Sequence, residues 1–347
     1  MSALQKSLFT TQYLCPDQQL GVWEESIDTL FDVTPSPQSI SSRCHTTVAS
    51  FLIDNQFMFS GCSTHAQRFE RPPLRVARDN LDYYVVQTHL SGTQEIAHGS
   101  ATVCCNPGDL LILDMADKHE ATTTAFTQRS LVIPRHMLTP LLSDPDSQAG
   151  RVLKGGSPLT TLVVNHMKTA FNLLGGMTEE EAQQLIQPTV HLVASALNGS
   201  LERIPDGGAA VASSLLAQAK LEIENNLQRN INVDRLCASL KHSRSALYRL
   251  FEPIGGIRAY IQERRLRRSA HELLSDKFSN RRICDIAYAW GFASEAHYSR
   301  AFRQRFGMTP SEAKICRAGT CQVDKETNRT EVGDRDYERW LSEVLRM

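Results

Sequence analysis

No run of about 20 consecutive apolar residues, the length a helix needs to span a bilayer, occurs in these 347 residues. The first twenty residues (MSALQKSLFTTQYLCPDQQL) hold neither a long apolar core nor a small-residue cleavage site, so no signal peptide is read there. The nine cysteines are odd in number and irregularly spaced. That argues against a disulfide framework and fits a reducing cytoplasm. His89, His98, His119 and His136 are scattered without a His-x-His pair, and His45, His65 and Cys62 are no better organised. No metal site is expected from such spacing. A Gly-rich phosphate loop, a nucleophile elbow and a kinase motif set are all missing. Nothing here supports catalysis, and no cofactor is expected.

Net charge is also nearly absent, at −1, but it is unevenly spread. Residues 211–318 carry 19 Lys and Arg against 10 Asp and Glu, whereas residues 1–210 carry 13 against 21. A basic segment joined to an acidic one suits a nucleic-acid-binding domain attached to something else. An uneven solvated surface would look the same on charge alone.

Between about 40 and 140 the sequence consists of short apolar runs broken by turn residues. Tyr83–His89, Ala101–Cys105 and Leu110–Leu113 are such runs, with Ser91-Gly92 and Asn106-Pro107-Gly108-Asp109 as turns. β-branched and aromatic residues at this spacing predict an antiparallel sheet, sandwich or small barrel. The period then changes. Leu162, Val163, His166, Met167, Ala170, Phe171 and Leu174 recur at helical spacing, Gly175-Gly176 ends that helix, and Thr178 with Glu181 forms a capping box for a second one. These two helices, about 158–198, are expected to pack on the sheet or to form a dimer interface. The Gly- and Pro-rich stretch 199–210 reads as a linker, which leaves 1–198 as one domain and 211–318 as another. The tail, 319–347, is polar and is read as flexible, apart from a short amphipathic piece from Tyr337 to Leu345 with no assigned role.

The strongest feature is an internal repeat. Val233, Leu236, Cys237 and Leu240 are matched 50 residues later by Ile283, Ile286, Ala287 and Trp290. Ser243, Leu247, Arg249 and Phe251 are matched 51 residues later by Ser294, Tyr298, Arg300 and Phe302. Each copy is a short apolar-faced helix, a tight break, and a second helix with Ser as its N-cap. That is a helix-turn-helix unit, whose second helix lies in the major groove of DNA. Facing outward are Arg244, Ser245, Tyr248 and Arg249 in the first copy, and Glu295, Ala296, His297, Ser299, Arg300 and Arg303 in the second. Arg258–Ser275 has no helix breaker and predicts one connecting helix, roughly 27 Å long at ~1.5 Å per residue. Such a spacer could set the two reading helices in successive major grooves, which lie ~34 Å apart. Arg264, Arg265 and Arg268 on it, with Arg303, are candidate phosphate contacts, although an exposed charged face would read the same way. Thr309-Pro310-Ser311-Glu312 caps one more helix.

The run from Ile257 to Pro310, with RRLRRSAHELL followed by ICDIAYAWGFASEAHYSRAFRQRFGMTP, resembles the signature region of the AraC/XylS family of bacterial transcription regulators. The likeness covers about 100 residues once the first repeat is included. It implies base reading by Ser243, Ser245, Tyr248 and Arg249 and by Glu295, Ala296 and Ser299, with Arg300 turned to backbone or intradomain contacts. Two positions depart from the family pattern: Tyr298 stands where Phe is usual, and PSEAKICR replaces an aromatic-Arg ending. Arg75–Leu90, Asn106–Asp114 and Leu131–Leu138 are similar to a sensor type of the same family. That second likeness implies a cupin-like β-barrel followed by helices, which binds a small catabolite and mediates dimerisation.

The expected fold is therefore α+β: a cupin-like barrel with two helices, then an all-α domain of two helix-turn-helix units joined by a long helix. The expected function is a cytoplasmic, dimeric, ligand-responsive regulator, more an activator than a repressor, with operator DNA, a small-molecule effector and RNA polymerase as partners. Arg78, Tyr83, Tyr84, Gln87 and His89 are candidate effector contacts. Two alternatives are a metal-dependent cupin-type enzyme with a DNA-binding appendage, and an architectural DNA-binding protein without an effector.

Overall fold

The computed structural model describes every residue except 1–3, 38–44, 80, 99–100, 144, 146–147, 200–214, 217, 221, 225, 230, 253–254, 275–280, 320–331 and 343–347. Apart from Gly199, which ends a helix, the linker read from the sequence lies outside the described residues. The chain forms two compact units that differ from a simple division along the sequence. One takes residues 1–72, 81–203 and 325–347, and the other takes 73–80 and 204–324.

The first unit is built on two antiparallel sheets, with strands and helices numbered in chain order. The larger sheet runs β1 (Gln5–Thr10), β3 (Thr47–Ile53), β4 (Phe57–Thr64), β11 (Phe126–Pro134), β6 (Tyr83–Ser91), β9 (Leu110–Asp114), β12 (Arg151–Leu153). The smaller runs β2 (Asp32–Pro35), β5 (Gln67–Arg71), β10 (His119–Thr123), β7 (Gln94–His98), β8 (Ala101–Cys105). The expected barrel is not closed, because no ladder joins the two sheets among the described strands.

The larger sheet is covered on both faces, which explains why its strands read as unbroken apolar runs. Side chains alternate along a strand. Tyr83 and Val85 of β6, Leu111 and Leu113 of β9, and Val132 of β11 join one cluster with Phe69, Ile96 and Ala121 of the smaller sheet. Tyr84, Val86, Leu110, Ile112, Leu131 and Ile133 join the other. That second cluster is roofed by α4 (Pro158–Leu174) and α5 (Glu179–Gly199), through Val163, Met167, Leu174, Ile186, Val190 and Val193. Burying each Val, Leu or Ile stabilises by about 1.5–3 kcal/mol, so these two helices are a structural layer of the unit. The capping box forms as expected. The Thr178 amide donates to Glu181 Oε2 (2.9 Å), and the Glu181 amide donates to Thr178 Oγ1 (3.3 Å).

Three further α-helices belong to this unit, of which the short α3 (Arg135–Leu138) directly follows β11. α1 (Pro16–Ile27) buries Trp23 in the cluster between the sheets. Helix α12 (Asp336–Ser342), which falls on the amphipathic piece of the tail that the sequence left without a role, sends Tyr337, Trp340 and Leu341 into the same cluster.

In the second unit each helix starts and stops for a stated reason. Asn232 caps α6 (Val233–Leu240) by accepting from the Asp234 amide (2.7 Å). Ser243 and Ser294 cap α7 (Arg244–Phe251) and α10 (Glu295–Phe306) by accepting from the Ala246 (3.3 Å) and His297 (3.1 Å) amides. Gly291, after α9 (Ile283–Ala289), turns the second copy at φ +74°. The first copy turns at Lys241 with φ 56°, so a lysine there takes the left-handed role that glycine takes in its repeat mate. The extra residue of the second copy lies in its turn, where buried Phe292 packs on Tyr298 at 5.0 Å between ring centroids.

Helix α8 (Ile257–Leu274) joins the two copies, with Ile257 and Ile261 in the first apolar cluster and Leu266, Ala270 and Leu273 in the second. Trp290 packs against both clusters. Helix α11 (Pro310–Gly319) completes this unit, and α2 (Pro73–Asp79) groups with it, its Leu74 lying against the second cluster.

Candidate DNA-reading surface and sensor pocket

In both copies the second helix is pinned by its apolar side. Leu247 and Phe251 are fully buried in the first copy, as are Tyr298 and Phe302 in the second. The opposite sides are open: Ser243, Arg244, Ser245, Tyr248 and Arg249 are exposed, as are Glu295, Ala296, His297, Arg300 and Arg303. Ser299 is half-buried. Arg244 is held by Asp234 (Nε–Oδ1 2.6 Å), whereas Arg249 has no carboxylate partner among the described residues. Two exposed polar helix faces carrying Arg, Ser and His offer the donors and acceptors that base edges and phosphates need.

In the first unit, the space between the sheets holds a cavity of about 100 Å³. Met58, Val85, Leu113, Phe126 and Val132 supply apolar walls, and Gln87, Gln94, Gln128, Ser130 and His119 supply polar groups. Gln87 Nε2 donates to Gln94 Oε1 at 2.6 Å. No Lys, Arg, Asp or Glu stands among the described lining residues. Burial pushes the His119 imidazole down to about 4, with neighbouring Arg71 acting in the same direction, so the ring is neutral near pH 7.

Comparison with known proteins matches both halves. An AraC-binding-like domain is recognised over residues 37–198, and a helix-turn-helix domain over residues 236–314. The chain belongs to the AraC/XylS family. It is 28% identical over 219 residues to the XylDLEGF operon transcriptional activator of Pseudomonas putida, which covers 59% of this chain and 66% of that one. It is 26% identical over 250 residues to the transcriptional activator NphR of a Rhodococcus species, covering 69% and 72%. The chain thus spans just under two thirds of the first of these relatives. The fold is similar to that of the AraC-like transcriptional activator CuxR, with a TM-score of 0.53 and 21% identity over 75% of this chain and 94% of the other.

Placed in this AraC/XylS-family architecture, the residues expected from the sequence fall into distinct groups. The outward set on α7 and α10 is outward. The arginines of α8 are instead engaged within the unit. Arg264 pairs with Glu224, and Arg268 approaches the same carboxylate at 3.6 Å. Arg265 donates to the carbonyls of Leu227 (3.0 Å), Arg229 (2.8 Å) and Gly291 (3.2 Å), bracing the long helix against the turn of the second copy. Of the expected phosphate contacts, only Arg303 is fully exposed.

A Cβ at position 291 would stand 2.8 Å from the Arg265 guanidinium and would require left-handed backbone. Gly291→Ala is therefore expected to cost at least about 1–2 kcal/mol from the backbone alone. Urea unfolding of the full chain tests this, and unchanged stability would refute the role given to the turn.

The five expected effector residues also separate. Gln87 lines the cavity, and Tyr83 is buried in the surrounding cluster. His89 stands behind the lining, its Nε2 3.1 Å from Gln94 Oε1. Tyr84 points to the helical layer, where Arg135 Nη1 donates to its hydroxyl at 2.7 Å. Arg78 lies in the other unit beside Asp79, so neither Tyr84 nor Arg78 reaches this cavity. Gln94, His119, Ser130, Tyr337 and Leu341 line it and are not among the effector contacts expected from the sequence. Cys105 is a buried thiol pushed up to about 12, chiefly by burial. Among the described residues no group of three or more potential metal ligands is assembled.

Burial also lowers His65, His89 and His166. In each case the unfolded chain binds a proton at higher pH than the folded one, so folded stability rises with pH between the two values. The first unit should keep its full contribution above pH ~6.5 and lose it as pH falls towards 4, the value for His119. His119→Gln should flatten that loss in thermal unfolding measured across this window. An identical pH slope in the variant would show the assignment to be wrong.

Proposed function

We propose that this protein is a sequence-specific, DNA-binding transcription regulator that responds to a small molecule held between its two sheets. The observation that carries this reading is the pair of repeated, outward-facing helices in a unit with a surplus of nine basic residues over residues 211–318. Arg249 with Ser243, Ser245 and Tyr248, and Glu295, Ala296, His297 and Ser299 with Arg300, are its base- and backbone-contacting residues. Two reading helices joined through the single helix α8 suit two motifs about one helical turn apart. The cavity supports effector binding because it is apolar with a few convergent polar groups.

Activation through RNA polymerase is carried over from relatives that are named activators. Homodimerisation through α4 draws support from Leu162 and Leu173, large apolar side chains left exposed eleven residues apart, hence on one side of that helix. A cytoplasmic, non-catalytic role fits a DNA-bound regulator. No described helix is long and apolar enough to cross a membrane.

Selection of genomic fragments by the full-length protein at physiological salt tests the reading. Recovery of a few discrete sites carrying paired motifs is expected. Recovery of featureless DNA would favour an architectural role instead.

A further inference from the structure

The wall of the cavity includes a segment from the far end of the chain. Tyr337 and Leu341 of α12 line it beside Trp23 and Val132. The described segment 332–342 buries Val332, Tyr337, Trp340 and Leu341 in the cluster between the sheets and pairs Arg335 with Glu25 (3.2 Å), but few backbone bonds join it to the sheet. The Thr10 amide donates to the Val332 carbonyl (2.9 Å) and the Asp334 amide to the Leu8 carbonyl (3.1 Å), flanking a single bridge between Phe9 and Gly333. Ser7 contacts Asp334, Ser26 contacts Glu338 and the Tyr337 hydroxyl, and the Tyr83 hydroxyl donates to the Leu341 carbonyl (3.3 Å). The other walls belong mainly to multi-stranded ladders that cannot yield singly.

We propose that this C-terminal segment is a plug occupying part of the effector pocket, and that the effector is an uncharged, ring-bearing molecule that takes the place of Tyr337 and Leu341. The proposal rests on the reading of this cavity as the effector site. Size is the first reason. The space left is about 100 Å³, less than the ~150 Å³ cavity that admits a bare benzene ring. A substituted ring therefore needs a wall to move, and a segment joined to the sheet by one bridge is a wall that can leave without breaking a ladder.

Chemistry is the second reason. An ion enters an apolar site only with a partner, and no charged side chain is among the described lining residues. Arg71, which pairs across the strands with His119, gives Nη1 to the Leu30 carbonyl (2.8 Å) and Nε to the Met115 carbonyl (3.1 Å). Gln87, Gln94, Ser130 and neutral His119 suit hydroxyl, carbonyl or amide groups. The consequence for regulation follows from the chain's course. The plug lies C-terminal to the DNA-binding unit, so its release turns a unit tethered to the sensor at both ends into one held at fewer points.

The test uses full-length protein and two dyes sharing one ring system: neutral N-phenyl-1-naphthylamine and its anionic relative 8-anilinonaphthalene-1-sulfonate. Leu341→Ala should tighten the neutral dye about tenfold, while Ser130→Leu, which fills the pocket from the sheet, should weaken it about tenfold. The sulfonate should bind every form at least tenfold more weakly than the neutral dye. Saturating neutral dye should also speed hydrogen exchange at the Thr10 and Asp334 amides of the wild type at least tenfold. That measurement holds even if Leu341→Ala fails to fold. Unchanged exchange, with binding still lost in Ser130→Leu, would overturn the plug and leave the pocket standing. Binding indifferent to Ser130→Leu, or no binding to any form, would overturn both. Equal affinity for the two dyes would overturn the uncharged class.

Discussion

Arg249→Ala should weaken binding to a selected operator by about 1–3 kcal/mol, a loss of about fivefold to more than a hundredfold, while weakening a scrambled duplex far less. The asymmetry comes from what an arginine does at a base edge. A bidentate pair to guanine discriminates between sequences, whereas a phosphate contact adds the same energy on every sequence. Arg249 is exposed on α7, on the side opposite Leu247 and Phe251, and no carboxylate holds it among the described residues. Its neighbour Arg244 must first leave Asp234, an exposed pair worth at most about 1 kcal/mol, so Arg244→Ala is expected to have the smaller effect. Ser299→Ala should show the same selective loss at the second motif. Fluorescence anisotropy at one salt concentration on both duplexes decides the matter. Equal losses on operator and scrambled DNA would make Arg249 a phosphate contact, and no loss on either would place the docking face elsewhere.

The DNA-reading half was legible in the sequence because each of its determinants is local. Asn232, Ser243 and Ser294 cap helices through their own neighbours. The 50-residue offset between copies also exposes the repeat without any knowledge of distant contacts. What was missed there depends on tertiary partners. Nothing in the sequence distinguishes an arginine that brackets three carbonyls from one that meets phosphate, and Arg265 proves to be the former. Lys241 in the left-handed region was equally hidden, since glycine is the usual signal for such a turn.

The sensor half was legible as strands followed by helices, but not as an ordered pair of sheets. β11 lies between β4 and β6, and β1 pairs with β3 more than 35 residues away. Such pairings are chosen by long-range packing, which periodicity does not report. Burial of both faces of β6 also erased the alternation that would have assigned its side chains. The two-residue period sets His89 with Tyr83, Val85 and Gln87 and apart from Tyr84, a division that the candidate contacts expected from the sequence do not make. The plug was out of reach for a related reason. The amphipathic pattern from Tyr337 to Leu345 is visible in the sequence but not its destination, and Tyr337, Trp340 and Leu341 become core only because the space between the sheets receives them.

Arg135→Leu should destabilise the sensor unit by about 3–5 kcal/mol, the cost of stranding a buried charge. Arg135 follows the last residue of β11 and is largely buried; its Nη2 meets Asp114, its Nε meets Asp82 at 2.7 Å, and its guanidinium stacks over Tyr84 at 4.5 Å. Burial alone would lower its pKa, but Asp114, Tyr84 and Asp82 outweigh burial and raise it well above the usual value. Removing the cation leaves the Asp114 carboxylate, which is mostly buried, with the Ala116 amide at 2.9 Å but without its ion-pair partner. At roughly 2–4 °C per kcal/mol for a domain of this size, the sensor transition should fall by about 6–20 °C in calorimetry. Asp114→Leu in the same chain should recover much of the loss, because a buried pair replaced by apolar residues is often neutral. A double variant as unstable as the single one would mean that Arg135 acts by packing on Tyr84 and not by charge. The reading helices lie in the other unit, so operator affinity at 20 °C should be the property these substitutions change least.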